Sequence, residues 1–378
     1  MDYRREFADF EGVAYLNIAN QGPLPLASAR AAQAAIEWKK LPNDIADSAY
    51  FDLPDRVREK FARLIGAAAD EVAVTTGASA GLAAVAAGID WQPGDEVLVA
   101  HGEFPAHFAT WLPYENAGKL KVRVISPRGR FISADDYIEN IGPHTRIVSA
   151  SLVRFDDGAR LDAARVAQAC HAANAALLLD TSQCAGAMPL SIRDLGADFA
   201  ASSAYKWLLG PYGTGFFWVA REWTERLRCG PLYWQALEGA RDFHSLTQGN
   251  FRAAAGARRW DSPETASFIQ LAALDVSLDF LLSVGTEAVA AHSHALMTEI
   301  IERLPRDACV LASPAERERR GPYVCVAARR PERTPQMLDH LRKAQIIVSL
   351  RERALRISSH LYNTPEHVER LLKVLSTS

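Results

Sequence analysis

Cysteine is scarce and scattered: only Cys170, Cys184, Cys229, Cys309 and Cys325 occur in 378 residues, and none belongs to a CxxC pair. An odd count at wide spacing in a chain this long excludes a disulfide framework and argues against a zinc site, so free thiols are expected. Long apolar runs are missing too. No stretch of about 18 apolar residues occurs, which leaves no candidate membrane-spanning helix. The opening stretch MDYRREFADFEGVAYLN carries charge throughout and lacks the apolar centre of a secretory signal, so a cytoplasmic protein is expected. Nor is there an excess of basic residues: 42 Lys and Arg face 45 Asp and Glu, a formal net charge of −3. A nucleic-acid partner and an anionic membrane are thereby disfavoured, and a small-molecule partner is expected. No internal repeat or low-complexity linker divides the chain.

What is present is a hydrophobic fraction of 49%, enough to bury a substantial core as one large domain and one smaller one. Short apolar runs, EVAVTT (71–76), EVLVA (96–100), LKVRVIS (120–126), RIVSASLV (146–153), ALLLD (176–180) and TGFFWVA (214–220), read as strands buried on both faces. The segments between them look helical. In DAARVAQACHAANA (162–175), Val166, Cys170 and Ala173 fall on one helical face. This alternation predicts an α/β fold, a mainly parallel sheet with helices on both faces and ligands at the carboxyl ends of its strands. After about residue 260 the pattern changes. SFIQLAALDVSLDFLLSVG reads as a long helix stopped at Gly285, TEAVAAHSHALMTEIIERL as another, and YVCVAA (323–328), IIVSL (346–350) and ALRISS (354–359) as strands before the amphipathic helix PEHVERLLKVL. We expect an N-terminal segment (1–20) packed near the active site, a large cofactor-binding domain (21–260), and a linking helix with a smaller C-terminal α+β domain (261–378).

One lysine stands out. Lys206 lies among small and apolar residues in ASSAYKWLLGPYGTG (201–215), just ahead of a glycine- and proline-rich turn. Asp180 closes the apolar strand ALLLD, with Gln183 three residues on. Taken singly, Asp180 reads as a turn cap and Lys206 as a surface residue. A third element changes the reading. VTTGASAGLAAVAAG runs strand, glycine turn, then a helix from about Ala78 and Ser79 whose free N–H groups suit a phosphate. Together the set suggests pyridoxal 5'-phosphate. Its aldehyde condenses with a lysine amine, which moves the α-proton once substrate has displaced it, and its pyridine nitrogen needs a facing carboxylate. Lys206 and Asp180 fit those roles, and Gln183 suits the ring's phenolic oxygen.

On these residues the chain resembles the class V aminotransferase family of fold-type I pyridoxal-phosphate enzymes, which includes cysteine desulfurases, kynureninases and isopenicillin-epimerase-like proteins. YLNIANQGPLP, TTGAS, LLLDTSQCAG, SSAYKWLLGPYGTG and ALRISSHLYNT are similar to the family's N-terminal segment, phosphate turn, aspartate strand, lysine loop and substrate-arginine strand, in the family order. The resemblance implies further roles. Phe104, in EFPAH, is the platform under the cofactor ring; Ser203 and Tyr205 support the phosphate; Arg356 and Asn20 face the substrate. It also implies a homodimer in which RRWDSPETASF (258–268) crosses to the partner's phosphate, with Thr265 the donor among Ser262, Glu264, Thr265 and Ser267, and Arg258 or Arg259 offsetting Glu264. The other reading of that stretch is a helix start capped by Ser262 with Pro263 first.

Departures matter as well. In SASLVRFDDGARLD, Leu152, Arg154 and Phe155 replace polar contacts usual near the ring; Arg154 binds either a second substrate carboxylate or phosphate, or its neighbours Asp156 and Asp157. Arg351 and Arg353 read as solvated. Cys325 and Cys309 sit in surroundings unlike a desulfurase's exposed nucleophile, and Cys184 reads as packing. The expected function is an amino-acid enzyme, an aminotransferase by default. A Cβ lyase, an epimerase and a non-catalytic binding protein remain alternatives, because fold and cofactor do not choose among them.

Overall fold

The computed structural model describes residues 2–230, 232–246 and 251–377. Seven strands form the main sheet in the order Val72–Thr75, Gly215–Val219, Phe199–Ser203, Ala176–Asp180, Thr145–Ser151, Glu96–Ala100, Lys121–Ile125. Gly215–Val219 runs antiparallel to both its neighbours, and the other pairings are parallel. Five of the six predicted runs match observed strands within a residue at each end; the sixth, RIVSASLV, begins one residue early and ends two residues early, at Ser151. The apolar continuity explains this: Leu177, Leu178 and Leu179 have no exposed surface, as strands covered on both faces require.

Phe199–Ser203, the strand that delivers Lys206, is absent from the sequence reading. Its FAASS composition is rich in small residues of low strand propensity. Burial between two strongly apolar neighbours, Ala176–Asp180 and Gly215–Val219, overrides that preference.

A second sheet, antiparallel throughout, takes the order Ser349–Arg351, Ala354–Ile357, Val324–Ala328, Cys309–Leu311. The predicted IIVSL run is split: Ile346–Ile347 leaves that sheet and pairs in parallel with Ala14–Tyr15. The helices Phe268–Val284 and Thr286–Glu302 join the two sheets. Each sheet has its own apolar core, the larger around Leu178, Phe199 and Phe217 and the smaller around Val324, Leu355 and Leu371. Among the described residues no single helix is long and apolar enough to cross a membrane.

One expectation needs correction. No helix starts at Ser262; the long helix begins at Phe268. Ser262 is drawn to the sheet instead, its N–H donating to the Val74 carbonyl (3.0 Å) and its hydroxyl accepting from the Thr76 N–H (3.3 Å). Glu264 then takes a left-handed turn at φ 58°, which no helical first turn accommodates.

Candidate active site

The carboxyl ends of the parallel strands converge on Asp180. Its cross-strand neighbours are Ser151 and Ala201, so it occupies the middle of the sheet edge. The carboxylate is 8% exposed, and its Oδ1 accepts the Ser182 N–H at 2.7 Å. Behind it lies a residue the sequence reading passed over. His107, wholly buried, shares a 2.8 Å hydrogen bond between Nδ1 and the Ser149 hydroxyl, and its Nε2 sits 3.9 Å from Asp180 Oδ2 with no hydrogen-bond partner. A histidine three positions after Phe104 in EFPAH is the sequence signal.

Lys206 stands in a tight turn closed by hydrogen bonds from Ala204 N–H to Thr214 O, from Leu209 N–H to Lys206 O and from Gly210 N–H to Ala204 O. Its amine lies 5.5 Å from the Phe104 ring centre and 5.4 Å from that of Tyr205. Burial lowers its pKa to about 8; Asp180 pulls it up, while Arg356 and Arg351 push it down. Phe104 keeps one face open, at 38% exposed, and braces its edge on Phe155 at 5.3 Å. Tyr205 is half-buried and stacks on Tyr212 at 4.8 Å.

The glycine turn lies across from this lysine loop. Gly77 has φ 155°, and a side chain on Gly215 would run into its backbone, so both glycines permit the close approach of turn and strand. Ser203 caps the helix Ala78–Gly88 from the neighbouring strand, accepting the Ala78 N–H at 3.1 Å. Ser79, in the same first turn, is exposed. Gln183 is held at both ends: one amide hydrogen goes to the Ala19 carbonyl (3.0 Å), and its oxygen accepts from the Trp207 indole (3.0 Å).

Arg356 reaches the same pocket from the second sheet. It is 1% exposed, donates from Nη1 to the Phe155 carbonyl at 2.8 Å, and leaves Nε buried without a partner. Its guanidinium sits 5.7 Å from the Tyr323 ring centre. Asn20 does not stand alone, because its Oδ1 accepts from Arg351 Nη2 at 2.8 Å. Arg351, expected to be solvated, is therefore half-buried at the site. Of the two readings of Arg154, the salt bridge holds: its guanidinium forks onto Asp156 at 2.7 and 3.1 Å and donates to the Gly102 carbonyl at 2.8 Å. Thr265 is buried, and its hydroxyl donates to the Ser262 carbonyl at 2.6 Å. Cys184, Cys309 and Cys325 are buried, with thiols pushed up by desolvation.

This donor set fits pyridoxal phosphate. A desolvated amine lies over an open aromatic face, a carboxylate with a spare oxygen stands at the strand end, a capped glycine turn opens a helix N-terminus, and an arginine has a buried unpartnered N–H. The aminotransferase class-V profile matches residues 48–371. The chain belongs to the class V aminotransferase family. Among relatives, the uncharacterized aminotransferase YcbU of Bacillus subtilis strain 168 is 27% identical over 311 residues, 82% of this chain and 80% of the relative. The isopenicillin N epimerase of Streptomyces clavuligerus is 26% identical over 379 residues, 96% of this chain and 94% of the relative. A C-DES mutant solved with glycine covalently linked to its PLP cofactor shares the fold, with a TM-score of 0.87, 20% identity, and coverage of 99% of this chain and 98% of that one.

Proposed function

We propose that this class V family member binds pyridoxal 5'-phosphate through Lys206 and transfers the amino group of an amino acid. The observation that carries the reading is the Lys206 amine, desolvated to a pKa of about 8 between the Phe104 and Tyr205 rings beside Asp180. When bound, the cofactor supplies a sink for the electron pair left when the α-proton departs.

This chain's residues do the rest. Asp180 keeps the proton on the pyridine nitrogen, with the Ser182 N–H holding one carboxylate oxygen in place. Phe104 is the flat support for the ring. The first turn at Ala78 and Ser79, with the Ser203 hydroxyl and Tyr205, holds the phosphate. Gln183, fixed by Ala19 and Trp207, offers its second amide hydrogen to the phenolic oxygen. Lys206 carries the α-proton, because an amine with a pKa near 8 both accepts and returns it close to neutrality. Arg356 grips the α-carboxylate with its unused donors. The working unit is a homodimer, with the 258–268 segment serving the partner's phosphate and Thr265 turning its hydroxyl from the Ser262 carbonyl to reach it.

A Cβ lyase or an epimerase reaction uses the same residues, and relatives named isopenicillin N epimerase and probable cysteine desulfurase keep those readings as second choices. A persulfide relay is disfavoured at Cys170, Cys184, Cys309 and Cys325, which are all buried, whereas Cys229 is half-buried. Borohydride reduction followed by peptide mapping tests the anchor. The cofactor mass is expected on the Lys206 peptide of the wild type and absent from Lys206→Ala; a labelled lysine persisting in that variant overturns the assignment. Product analysis with a panel of L- and D-amino acids tests the reaction. A keto acid with the pyridoxamine form supports transfer, sulfide or pyruvate supports elimination, and inversion alone supports epimerisation.

A further inference from the structure

Charge around Lys206 is lopsided. Arg356 and Arg351 both act on Lys206 against the pull of Asp180, and Arg351 acts on Arg356 as well. Arg356 uses Nη1 on a backbone carbonyl and leaves Nε buried and unpartnered. Arg351 donates Nη1 to the Leu350 carbonyl and Nη2 to Asn20 Oδ1. Among the described residues neither guanidinium is ion-paired.

The strands Ser349–Arg351 and Ala354–Ile357 pair with Ser349 opposite Arg356 and Arg351 opposite Ala354. Both arginines therefore lie on one face as diagonal neighbours, about 7–8 Å apart at Cα. The Arg351 charge acts against that of Arg356, and burial of Arg356 removes the water that would screen them. Two anionic groups on one ligand relieve the strain; a single carboxylate leaves one cation facing only an asparagine amide. Arg154 is already neutralised, because Asp156 takes its Nε and Nη2 and Glu103 lies 3.8 Å from Nη1, although that Nη1 makes no hydrogen bond.

We propose that the site takes an amino acid whose side chain ends in a carboxylate: Arg356 holds the α-carboxylate, and Arg351, aimed by Asn20, holds the distal one. This rests on reading the Lys206 site as an amino-acid site, and it names the substrate class within that reading.

Calorimetric titration of the protein, saturated with pyridoxal phosphate, with succinate and glutarate against butyrate reads the arginine pair without turnover. Diacids are expected to bind at least about tenfold tighter than butyrate. Arg351→Gln removes that preference while butyrate affinity changes by less than about twofold, and Arg351→Lys restores part of it. Asn20→Ala, which leaves the charge and frees the arginine, weakens the preference without abolishing it. Equal affinity of the wild type for diacid and monoacid overturns the proposal, as does a parallel loss of both in a folded Arg351→Gln. Visible absorbance of the protein after unbound cofactor has been dialysed away separates this from the cofactor reading. A colourless protein that prefers diacids sinks the cofactor assignment and leaves the dicarboxylate site standing; a coloured protein indifferent to the second carboxylate does the reverse.

Discussion

Lys206 pays for its chemistry in stability. Its amine is 8% exposed and its pKa falls from the ordinary 10.5 to about 8, chiefly through burial. Below pH 8 the folded chain carries a buried ammonium that the unfolded chain keeps in water, a cost of about 3 kcal/mol. Between pH 8 and 10.5 the folded state binds fewer protons than the unfolded state, so that cost fades as pH rises and is gone above 10.5. Cofactor-free Lys206→Met is therefore expected to be more stable than wild type at pH 7 by up to about 3 kcal/mol, with the gain lost by pH 10.5. Urea melts of the two apoproteins across that range check it, and a pH-independent difference contradicts it. At this scale the sequence was most readable where a residue type has one chemical use. Lys206, Asp180 and Phe104 fall together because an amine, an acid and a flat ring at strand ends have few other reasons to meet. Arginines are harder, for their partners are set by distant strands: Arg154 is taken by Asp156, whereas Arg351 reaches Asn20, 331 positions away in the chain.

Among the elements, the N-terminal segment does more than its two-residue strand suggests. Ala14–Tyr15 pairs with Ile346–Ile347 beside the small sheet, Asn17 bridges to Ser358, and the Ala19 carbonyl accepts from Gln183. The Gly22 N–H then donates to the Tyr205 carbonyl at 2.8 Å. One short stretch thus ties the small sheet, the aspartate strand and the lysine loop together. Gly22 is glycine for a stated reason: a Cβ there would run into the Lys206 carbonyl oxygen, and backbone cannot yield as a side-chain tip does. Gly22→Ala is expected to cost about 1–3 kcal/mol and to lower cofactor occupancy, whereas Gly129→Ala, with nothing within 4 Å, leaves both unchanged. Calorimetric melting and visible absorbance read the two effects; a normal melt and full occupancy in Gly22→Ala refute the tie. Elements with strong apolar patterns, such as ALLLD, were legible from sequence. Phe199–Ser203 was not, because its placement depends on flanking strands remote in the chain; the long helix was, since SFIQLAALDVSLDFLLSVG marks its start to within a residue, and only the rival start at Ser262 fails, because remote contacts to Val74 and Thr76 hold that residue.

Taken as a whole molecule, the chain leaves an apolar face uncovered. At the end of the helix Leu26–Lys40, Trp38 is 45% exposed and Leu41, three positions on, is 59% exposed. The face continues through ring contacts: Trp38 meets Phe268 edge-on at 6.4 Å, and Phe268 meets Tyr50 at 5.1 Å, with Ile269 exposed beside them. Monomers rarely leave such a contiguous apolar patch in water, and a twofold interface is the commonest way soluble proteins cover one. Phe268 ends the 258–268 segment, so a second copy seated here lies beside the stretch proposed to serve the partner's phosphate. The homodimer reading thus gains a place on the surface. Sedimentation of the wild type is expected at twice the 41.4 kDa chain mass, and Trp38→Glu combined with Leu41→Glu is expected to shift it to one chain. Mixing then asks whether the sites are shared. Lys206→Ala chains combined with Thr265→Ala chains, each impaired alone, are expected to regain about one competent site per mixed dimer, because that site takes its lysine from one chain and its threonine from the other. A wild type that sediments as a fully active monomer removes the dimer. Mixed dimers that regain nothing keep the dimer and remove the crossing segment from the site.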